Sequence, residues 1–241
     1  MEKESNKRMK QARFRSDVTV ELRQSMASDA NVVQAARVST KGGDSRGDEA
    51  DAGLINYLIR EGHASPLEHS TFQFYVEAPL MVMTQLLRHR MASYNVESAR
   101  YKEFQPVFYV PDQDRKLVQV GKPGAYTFVK GNQTQYASAW QNITEGSKRA
   151  YERYQEMLGA GITREVARMV LPQNVYTSAY ITINARSLMN LLSLRIERGS
   201  DATVSHPQYE IQMVAEKMEE YFKEAMPLVY AAWVKGGRVS P

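Results

Sequence analysis

The stretch from Arg88 to Tyr101 reads Arg-His-Arg-Met-Ala-Ser-Tyr-Asn-Val-Glu-Ser-Ala-Arg-Tyr and follows directly on an apolar, helix-forming run. It gathers three guanidiniums, one imidazole, one carboxylate and two serines. Arginine presents a planar fork of donors that meets phosphate oxygens two at a time, and serine hydroxyls beside it complete the cradle without adding repulsive charge. The segment therefore reads as an anion site. At a helix exit Gln85, Arg88 and His89 stand three or four residues apart and point together, whereas Arg90 is turned by about 100° per residue and must face something else. Two ligands, or one ligand and the protein, are implied. The plain alternative is a solvated basic helix end that complements the helix dipole. Ser93, Ser98 and Arg100 follow at once and weigh against it.

Other stretches carry chemistry of the same kind. His63-Ala-Ser-Pro-Leu-Glu-His69 joins a helix end to a strand, with Pro66 fixing the turn. Its histidines do not share a helical face, and no cysteine or third clustered histidine completes a tetrahedral site, so no metal is expected there. Asn184-Ala-Arg-Ser-Leu-Met-Asn190 opens a helix, and Arg186 and Asn190 at i and i+4 pair an anion binder with an amide that donates and accepts, a combination suited to a heterocycle and its phosphate. A cap plus a surface charge is the simpler reading of that start. Arg168 near a helix end reads first as a surface residue complementing the dipole. Ser98 lacks an oriented base beside it and is a better phosphate ligand than nucleophile. No Gly-x-Gly-x-x-Gly or Walker-type loop is present, which leaves a Rossmann or P-loop nucleotide site without support.

Composition narrows the classes further. Cysteine is absent, which removes disulfides, thiolate nucleophiles, iron-sulfur clusters and cysteine zinc sites together. A net charge of +4 over 241 residues is modest and interspersed with acids, so nucleic-acid binding is not demanded. No apolar run approaches the roughly 20 residues of a spanning helix. Residues 1–16 look like a flexible charged leader without the apolar centre of a secretory signal, which suggests a cytoplasmic protein. Residues 17–233 are expected to form one catalytic domain and 234–241 a C-terminal tail.

The elements that must position these groups alternate without a strict βαβ period, which predicts an α+β (mixed α/β) fold with a central twisted sheet flanked by helices. Strands are expected over 17–22, 70–77, 106–110 and 175–184. Helices are expected over 30–38 behind a Ser28-Asp29 cap, 49–61 stopped by Gly62, 80–90 opened by Pro79, 136–158, a short one from Thr163 to Pro172, one carrying Leu188, Leu191, Leu192 and Arg195, and a last one over 207–224. Residues 41–48 and 111–133 read as polar loops.

Arg88-His89-Arg90 with Ser98 eight residues beyond matches the pattern R-H-R-x7-S, and with its surroundings the chain resembles the flavin-dependent thymidylate synthases. Ala36-Arg37-Val38-Ser39, the His63 to His69 segment, Arg168-Met-Val-Leu-Pro172, and Asn184 to Asn190 continuing to Arg195 and His206-Pro-Gln-Tyr-Glu-Ile-Gln212 agree in order. The resemblance implies FAD as cofactor, conversion of dUMP to dTMP, 5,10-methylenetetrahydrofolate as carbon donor, NADPH as reductant, and a homotetramer whose active sites draw on several subunits. Carried over position by position, His63, Ser65, Arg88, His89, Arg90, Asn184, Ala185, Arg186 and Asn190 resemble FAD contacts, with Ser39, Glu68 and His206 beside them. Gln85, Leu86, Leu87, Arg88, Val96, Glu97, Ser98, Ala99, Arg100, Arg168 and Arg195 resemble the dUMP shell. Arg195 is similar to the family's key arginine, which contacts the uracil and favours its ionised form. One departure is visible: the family usually carries Glu or Gln two residues before the motif serine, where this chain has Val96 and moves its carboxylate to Glu97. Two other readings stand beside this one: a flavoenzyme acting on uracil in RNA, and a basic single-stranded nucleic-acid binder using its arginines and 14 tyrosines as stacking platforms.

Overall fold

A computed structural model describes residues 11–39, 47–122, 125–199 and 205–241. The first half of the chain forms β1 (Arg13–Arg15), β2 (Thr19–Ser25), α1 (Asp29–Arg37), α2 (Asp48–Arg60), a 3-10 segment (Ser65–His69), β3 (Thr71–Pro79), α3 (Leu80–Leu86), β4 (Ala92–Val96) and β5 (Val107–Tyr109). The second half forms β6 (Val118–Lys122), β7 (Ala125–Val129), α4 (Gln133–Gly159), α5 (Arg164–Ala167), a 3-10 turn (Arg168–Val170), β8 (Tyr176–Asn184), α6 (Ala185–Arg195), α7 (Tyr209–Ala225) and α8 (Pro227–Lys235). Helices and sheet are mixed, as the sequence predicts. The chain divides into two compact units, one built from the residues through Asp17, Pro79–Met81 and Glu97–Thr177, the other from Val18–Ala78, Val82–Val96 and Ser178–Pro241.

The larger unit is organised on a four-stranded sheet of order β2-β3-β8-β4. β2 and β3 pair antiparallel, with Val20 opposite Val76 and Leu22 opposite Phe74, and the register shifts between Leu22 and Gln24. β3 alternates strictly, burying Phe72, Phe74, Val76 and Ala78. That period of two is why it is a strand with one face in the core. α7 covers this face: Phe222 meets Phe72 edge-on at 6.2 Å and Tyr221 meets Phe74 at 6.0 Å. Burial of each large apolar side chain here contributes about 1.5–3 kcal/mol.

Local signals explain the helix ends. Ser28 caps α1 by accepting from Asn31 N at 3.1 Å. Gly62, with φ of 70°, ends α2 in the left-handed conformation while His63 N bonds Leu58 O at 2.8 Å, which is the glycine stop expected of that position. The Asp29 carboxylate accepts from Leu228 N and Val229 N at 2.9 and 3.0 Å, supplying α8 with the cap its own sequence lacks. Arg37 and Asp51, both nearly buried, hold α1 to α2 by an ion pair of 2.7 Å.

The smaller unit pairs β1 with β5 in parallel and β6 with β7 as a hairpin. Its core gathers Phe104, Phe108, Tyr151, Tyr154, Ala167 and Val175. α4 opens with a capping box between Asn132 and Gln135, and the Tyr154 hydroxyl accepts from Phe104 N at 3.3 Å.

Several expectations need correction. Residues 13–15, read as part of the leader, form β1, because Phe14 packs 6.1 Å from Phe108 and the Arg15 guanidinium lies 4.8 Å over the Tyr176 ring. Residues 1–10 and 40–46, and with them most of the leader and of the 41–48 loop, lie outside the described residues. The 111–133 loop contains the β6–β7 hairpin, whose alternation is diluted by Gly121 and Lys122. α3 stops at Leu86 rather than Arg90, and 92–96 is strand. α8 continues past the last expected helix, with Trp233 fully buried against Phe222 and Tyr230. Among the described residues no helix is long and apolar enough to cross a membrane, and no group of three or more His, Cys, Asp or Glu is placed to hold a metal.

Candidate active site

Two chain junctions in the larger unit meet because of sheet register. β4 and β8 run antiparallel with Ala92 opposite Ile183 and Ser93 opposite Thr182. The residues just before β4 are Arg88 to Met91, and those just after β8 begin α6. Antiparallel pairing in this register therefore brings the Arg-His-Arg triplet beside the start of α6.

The triplet is shaped by the way α3 ends. Arg88 N bonds Gln85 O at 3.3 Å, His89 N bonds Leu86 O at 3.0 Å, and Arg90 N bonds Arg88 O at 3.1 Å, a tightening turn rather than a continuing helix. Tyr94 of β4 pins it, its hydroxyl lying 2.7 Å from Leu86 O and 3.0 Å from His89 O. Burial pushes the Tyr94 pKa up to about 12, so the phenol stays a donor. α6 is fixed at its start by Asn184, whose side chain accepts from Ser187 N at 2.9 Å, and by Ala185 N donating to Ser70 O at 2.8 Å. Leu188, Met189, Leu191 and Leu192 are buried behind it, which turns Arg186 and Asn190 the other way, while Arg195, seven residues beyond Leu188 and on the side of that stripe, reaches the cavity from the last turn.

Between these junctions lies a cavity of about 740 Å³ lined by Glu68, Arg88, His89, Arg90, Met91, Ile183, Arg186, Ser187, Asn190, Leu194, Arg195, Ser240 and Pro241. Arg90 thus faces the same space as Arg88 and His89, contrary to the helical-wheel expectation, because the helix has ended before it. The two outer arginines are held differently. Arg186 donates from Nη1 to Glu68 at 2.6 Å and from Nε to Pro241 O at 2.9 Å, while Ser240 Oγ donates to Arg186 O at 3.2 Å. Arg195 donates from Nε to His89 Nε2 at 3.0 Å. Burial first, and the Arg195 charge second, lower the His89 pKa to about 4. Burial first, and Arg88 second, also lower the Arg195 pKa.

This donor set fits a phosphate-bearing heterocycle of cofactor size. The volume lies in the usual range of ligand pockets, four guanidiniums offer phosphate contacts, Met91, Ile183 and Leu194 supply apolar wall for a flat ring, and Asn190 can read polar edges. Of the residues singled out in the sequence, Arg88, His89, Arg90, Arg186, Asn190, Arg195 and Glu68 line this cavity, Arg90 against expectation. Met91, Ile183, Ser187, Leu194, Ser240 and Pro241 line it too and were not singled out. The first four adjoin residues already named, so neighbourhood was their signal; the last two arrive from the chain end by tertiary contact and carried none.

Other candidates lie away from the cavity lining. His63 is exposed and meets Tyr57 edge-on at 5.5 Å, and Ser65 is exposed at the start of its 3-10 segment. Ser39 Oγ bonds Ala36 O at 3.1 Å, and His206 Nδ1 lies 2.9 Å from Glu197 Oε1. Gln85 Nε2 donates to Gln208 Oε1 at 2.6 Å, Leu86 is buried, Leu87 is exposed, and Val96 ends β4. Glu97, Ser98, Ala99, Arg100 and Arg168 belong to the smaller unit. There Glu97 pairs with Lys102 at 3.0 Å, Ser98 Oγ accepts from Arg100 N at 3.3 Å, Ala99 is buried, Arg100 pairs with Glu165 at 3.3 Å, and Arg168 opens its 3-10 turn.

The thymidylate synthase complementing protein family matches residues 21–228. The chain belongs to that family. Among its relatives in the family, a flavin-dependent thymidylate synthase of Tropheryma whipplei (strain TW08/27) is 50% identical over 232 residues, covering 95% of this chain and 97% of the relative. Another of the same name from Streptomyces avermitilis is 51% identical over 234 residues, covering 95% of each. The crystal structure of a UMP/dUMP methylase, PolB, from Streptomyces cacaoi bound with 5-Br UMP superposes with a TM-score of 0.91 at 48% identity, covering 96% of this chain and all of the other.

Proposed function

We propose that the chain is a flavin-dependent thymidylate synthase that methylates dUMP to dTMP, with FAD as cofactor, 5,10-methylenetetrahydrofolate as carbon donor and NADPH as reductant. The observation that carries this reading is the convergence of Arg88, His89, Arg90, Arg186 and Arg195 on one cavity, in a chain about half identical to relatives bearing that name. The absence of cysteine accords with it, since activation of a uracil ring by a thiolate is closed to this chain and the chemistry must come from a cofactor.

Bound in the cavity, a flavin would supply hydride transfer. The chain's own groups hold and orient. Arg88, Arg90 and Arg186 are placed to bind phosphate, Asn190 to meet a ring edge, and Met91, Ile183 and Leu194 to exclude water from one face. Arg195 is the group proposed to contact the pyrimidine and stabilise negative charge on it. Gln85, Arg88, Ser98, Ala99, Arg100 and Arg168 are proposed for the nucleotide shell, with the backbone of Leu86, Leu87, Val96 and Glu97. His63, Ser65, Asn184 and Ala185, and also Ser39, Glu68 and His206, are proposed as further flavin contacts in a cytoplasmic homotetramer whose sites are shared between subunits. The test is direct: purified protein should be yellow, release FAD on denaturation and form dTMP from dUMP only with folate and reductant. Colourless protein that fails to take up added FAD refutes the proposal.

A second substrate is favoured by one observation. Structures of the UMP/dUMP methylase at this level of identity are bound with 5-Br UMP and with 5-Br dUMP. Parallel assays with UMP and dUMP decide whether this chain shares that breadth.

A further inference from the structure

The cavity holds two arginines in opposite electrostatic states. Arg186 faces the Glu68 carboxylate at 2.6 Å, so its charge is largely compensated. Arg195 has no carboxylate in ion-pair contact among the described residues, and its Nε–H is taken up by an imidazole nitrogen, His89 Nε2, at 3.0 Å. A guanidinium has only donors. An imidazole nitrogen can accept from it only when that nitrogen carries no proton, which fixes His89 as the neutral tautomer with its proton on Nδ1. An imidazolium would set donor against donor.

The choice of acceptor has a consequence for the field in the site. A carboxylate at this position would orient Arg195 equally well and would also cancel its charge. A neutral imidazole fixes the guanidinium plane through a dipole and leaves the full positive charge facing the cavity. The surroundings act in the same direction: Arg88, Arg90 and Arg186 share the cavity, while the side-chain carboxylate in its lining, Glu68, and the Pro241 oxygen both sit on Arg186 and not on Arg195.

We infer that His89 is a positioning residue, a neutral acceptor locked in the Nδ1–H tautomer that aims the Arg195 guanidinium without quenching its charge. This rests on the proposed function for the purpose of the charge, which is to stabilise an ionised pyrimidine. The pairing itself does not depend on it.

Two measurements test the inference. The first takes ligand-free, full-length protein with nitrogen-15-labelled histidine and records long-range proton–nitrogen correlations from about pH 8 to about pH 5. His89 should show a protonated Nδ1 and a bare Nε2 throughout, and a resonance with Nε2 protonated, or one that titrates near 6.5, the ordinary value, overturns the pairing. The second compares His89→Gln with His89→Glu, which have the same shape and can both accept from Arg195 Nε. Turnover at saturating dUMP should fall at least about tenfold further for Glu than for Gln, the factor corresponding to about 1.4 kcal/mol. Equal losses in the two variants would mean a merely structural histidine and would overturn the charge-preserving role. If wild-type protein proves inactive on dUMP, the proposed function fails while the spectrum still decides the pairing, and the same spectrum decides it if either variant does not fold.

Discussion

Truncation of Arg195 to alanine removes one unit charge from the cavity wall while leaving the α6 backbone in place, since the helix is held by the burial of Leu188, Met189, Leu191 and Leu192 and by the Asn184 cap. The size of the effect follows from the setting. Two unit charges about 4 Å apart interact by about 4 kcal/mol at an effective dielectric of about 20. Arg195 is half-buried in an open cavity, and mobile ions and solvent reduce the interaction, so about 2–3 kcal/mol of it should reach the barrier, which is about a thirty-fold to about a 150-fold loss of turnover. Arg195→Lys keeps the charge but loses the planar fork and the Nε donor to His89, and should fall between wild type and alanine. Stability moves the other way. Arg195 sits beside Arg88, and that like charge, after burial, depresses its pKa, so truncation relieves repulsion and leaves the melting temperature unchanged or slightly higher. The assay is dTMP formation at saturating dUMP, with release of tritium from carbon 5 of the pyrimidine as a second readout. Turnover of the alanine variant within about threefold of wild type, less than about 0.7 kcal/mol, refutes the assignment of Arg195.

Three further outcomes are expected. Asp51→Ala breaks the ion pair of the Arg37 guanidinium, whose side chain is only 8% exposed against 13% for Asp51; breaking such a pair costs about 3–5 kcal/mol and should lower the melting temperature by about 10 °C, read by calorimetry, whereas a shift of under about 2 °C would deny the pair its structural role. His89 gives a pH signature: its proton is bound by the unfolded chain below 6.5 but by the folded protein only below about 4, so between those values the unfolded state holds the extra proton, and stability falls as pH is lowered through the window and is fully present above 6.5. With partial exposure discounting the effect to about 1–2 kcal/mol, denaturant titrations of wild type should show it and those of His89→Gln should not. Ser98→Ala should weaken dUMP binding, read as a raised KM, while turnover at saturating dUMP persists; complete loss of turnover would make the serine a nucleophile.

Legibility followed the range of the interactions involved. β3 and β8 could be read because their β-branched and aromatic residues carry the period of the strand, α1 and α2 because Ser28 and Gly62 are local start and stop signals, and α4 from its amphipathic period, which begins at Tyr136, three residues inside the start that Asn132 caps. β1 and the β6–β7 hairpin could not. Three residues of β1 hold no period, and their strand state is decided by Phe14 and Arg15 meeting distant rings. The site shows the same division. Arg88, His89, Arg186 and Arg195 were visible as residue types that demand polar partners, but the glutamate on Arg186 and the imidazole on Arg195 are partners 118 and 106 residues away. Arg90 was misdirected because a helix was extended past Leu86, and the carbonyls that Tyr94 ties down belong to a turn no local pattern announces.

Register is the feature through which the fold controls the chemistry. Ala92 lies opposite Ile183, and a slip of one residue between β4 and β8 would turn every β4 side chain to the other face. Tyr94 would then lose Leu86 O and His89 O, and the acceptor held against Arg195 Nε would move with them. The tyrosine hydroxyl, the histidine tautomer and the arginine charge are thus linked in series, each set by the one before it. A chain without cysteine has no thiolate to attack a pyrimidine, so selectivity for where charge develops falls to fixed dipoles and guanidiniums. That places the requirement for accuracy on the sheet itself. It also explains why a half-buried phenol whose pKa is raised to about 12 is useful here: it remains a donor through the whole range in which an imidazole titrates, and so it keeps the first link of the series independent of the titrations around it.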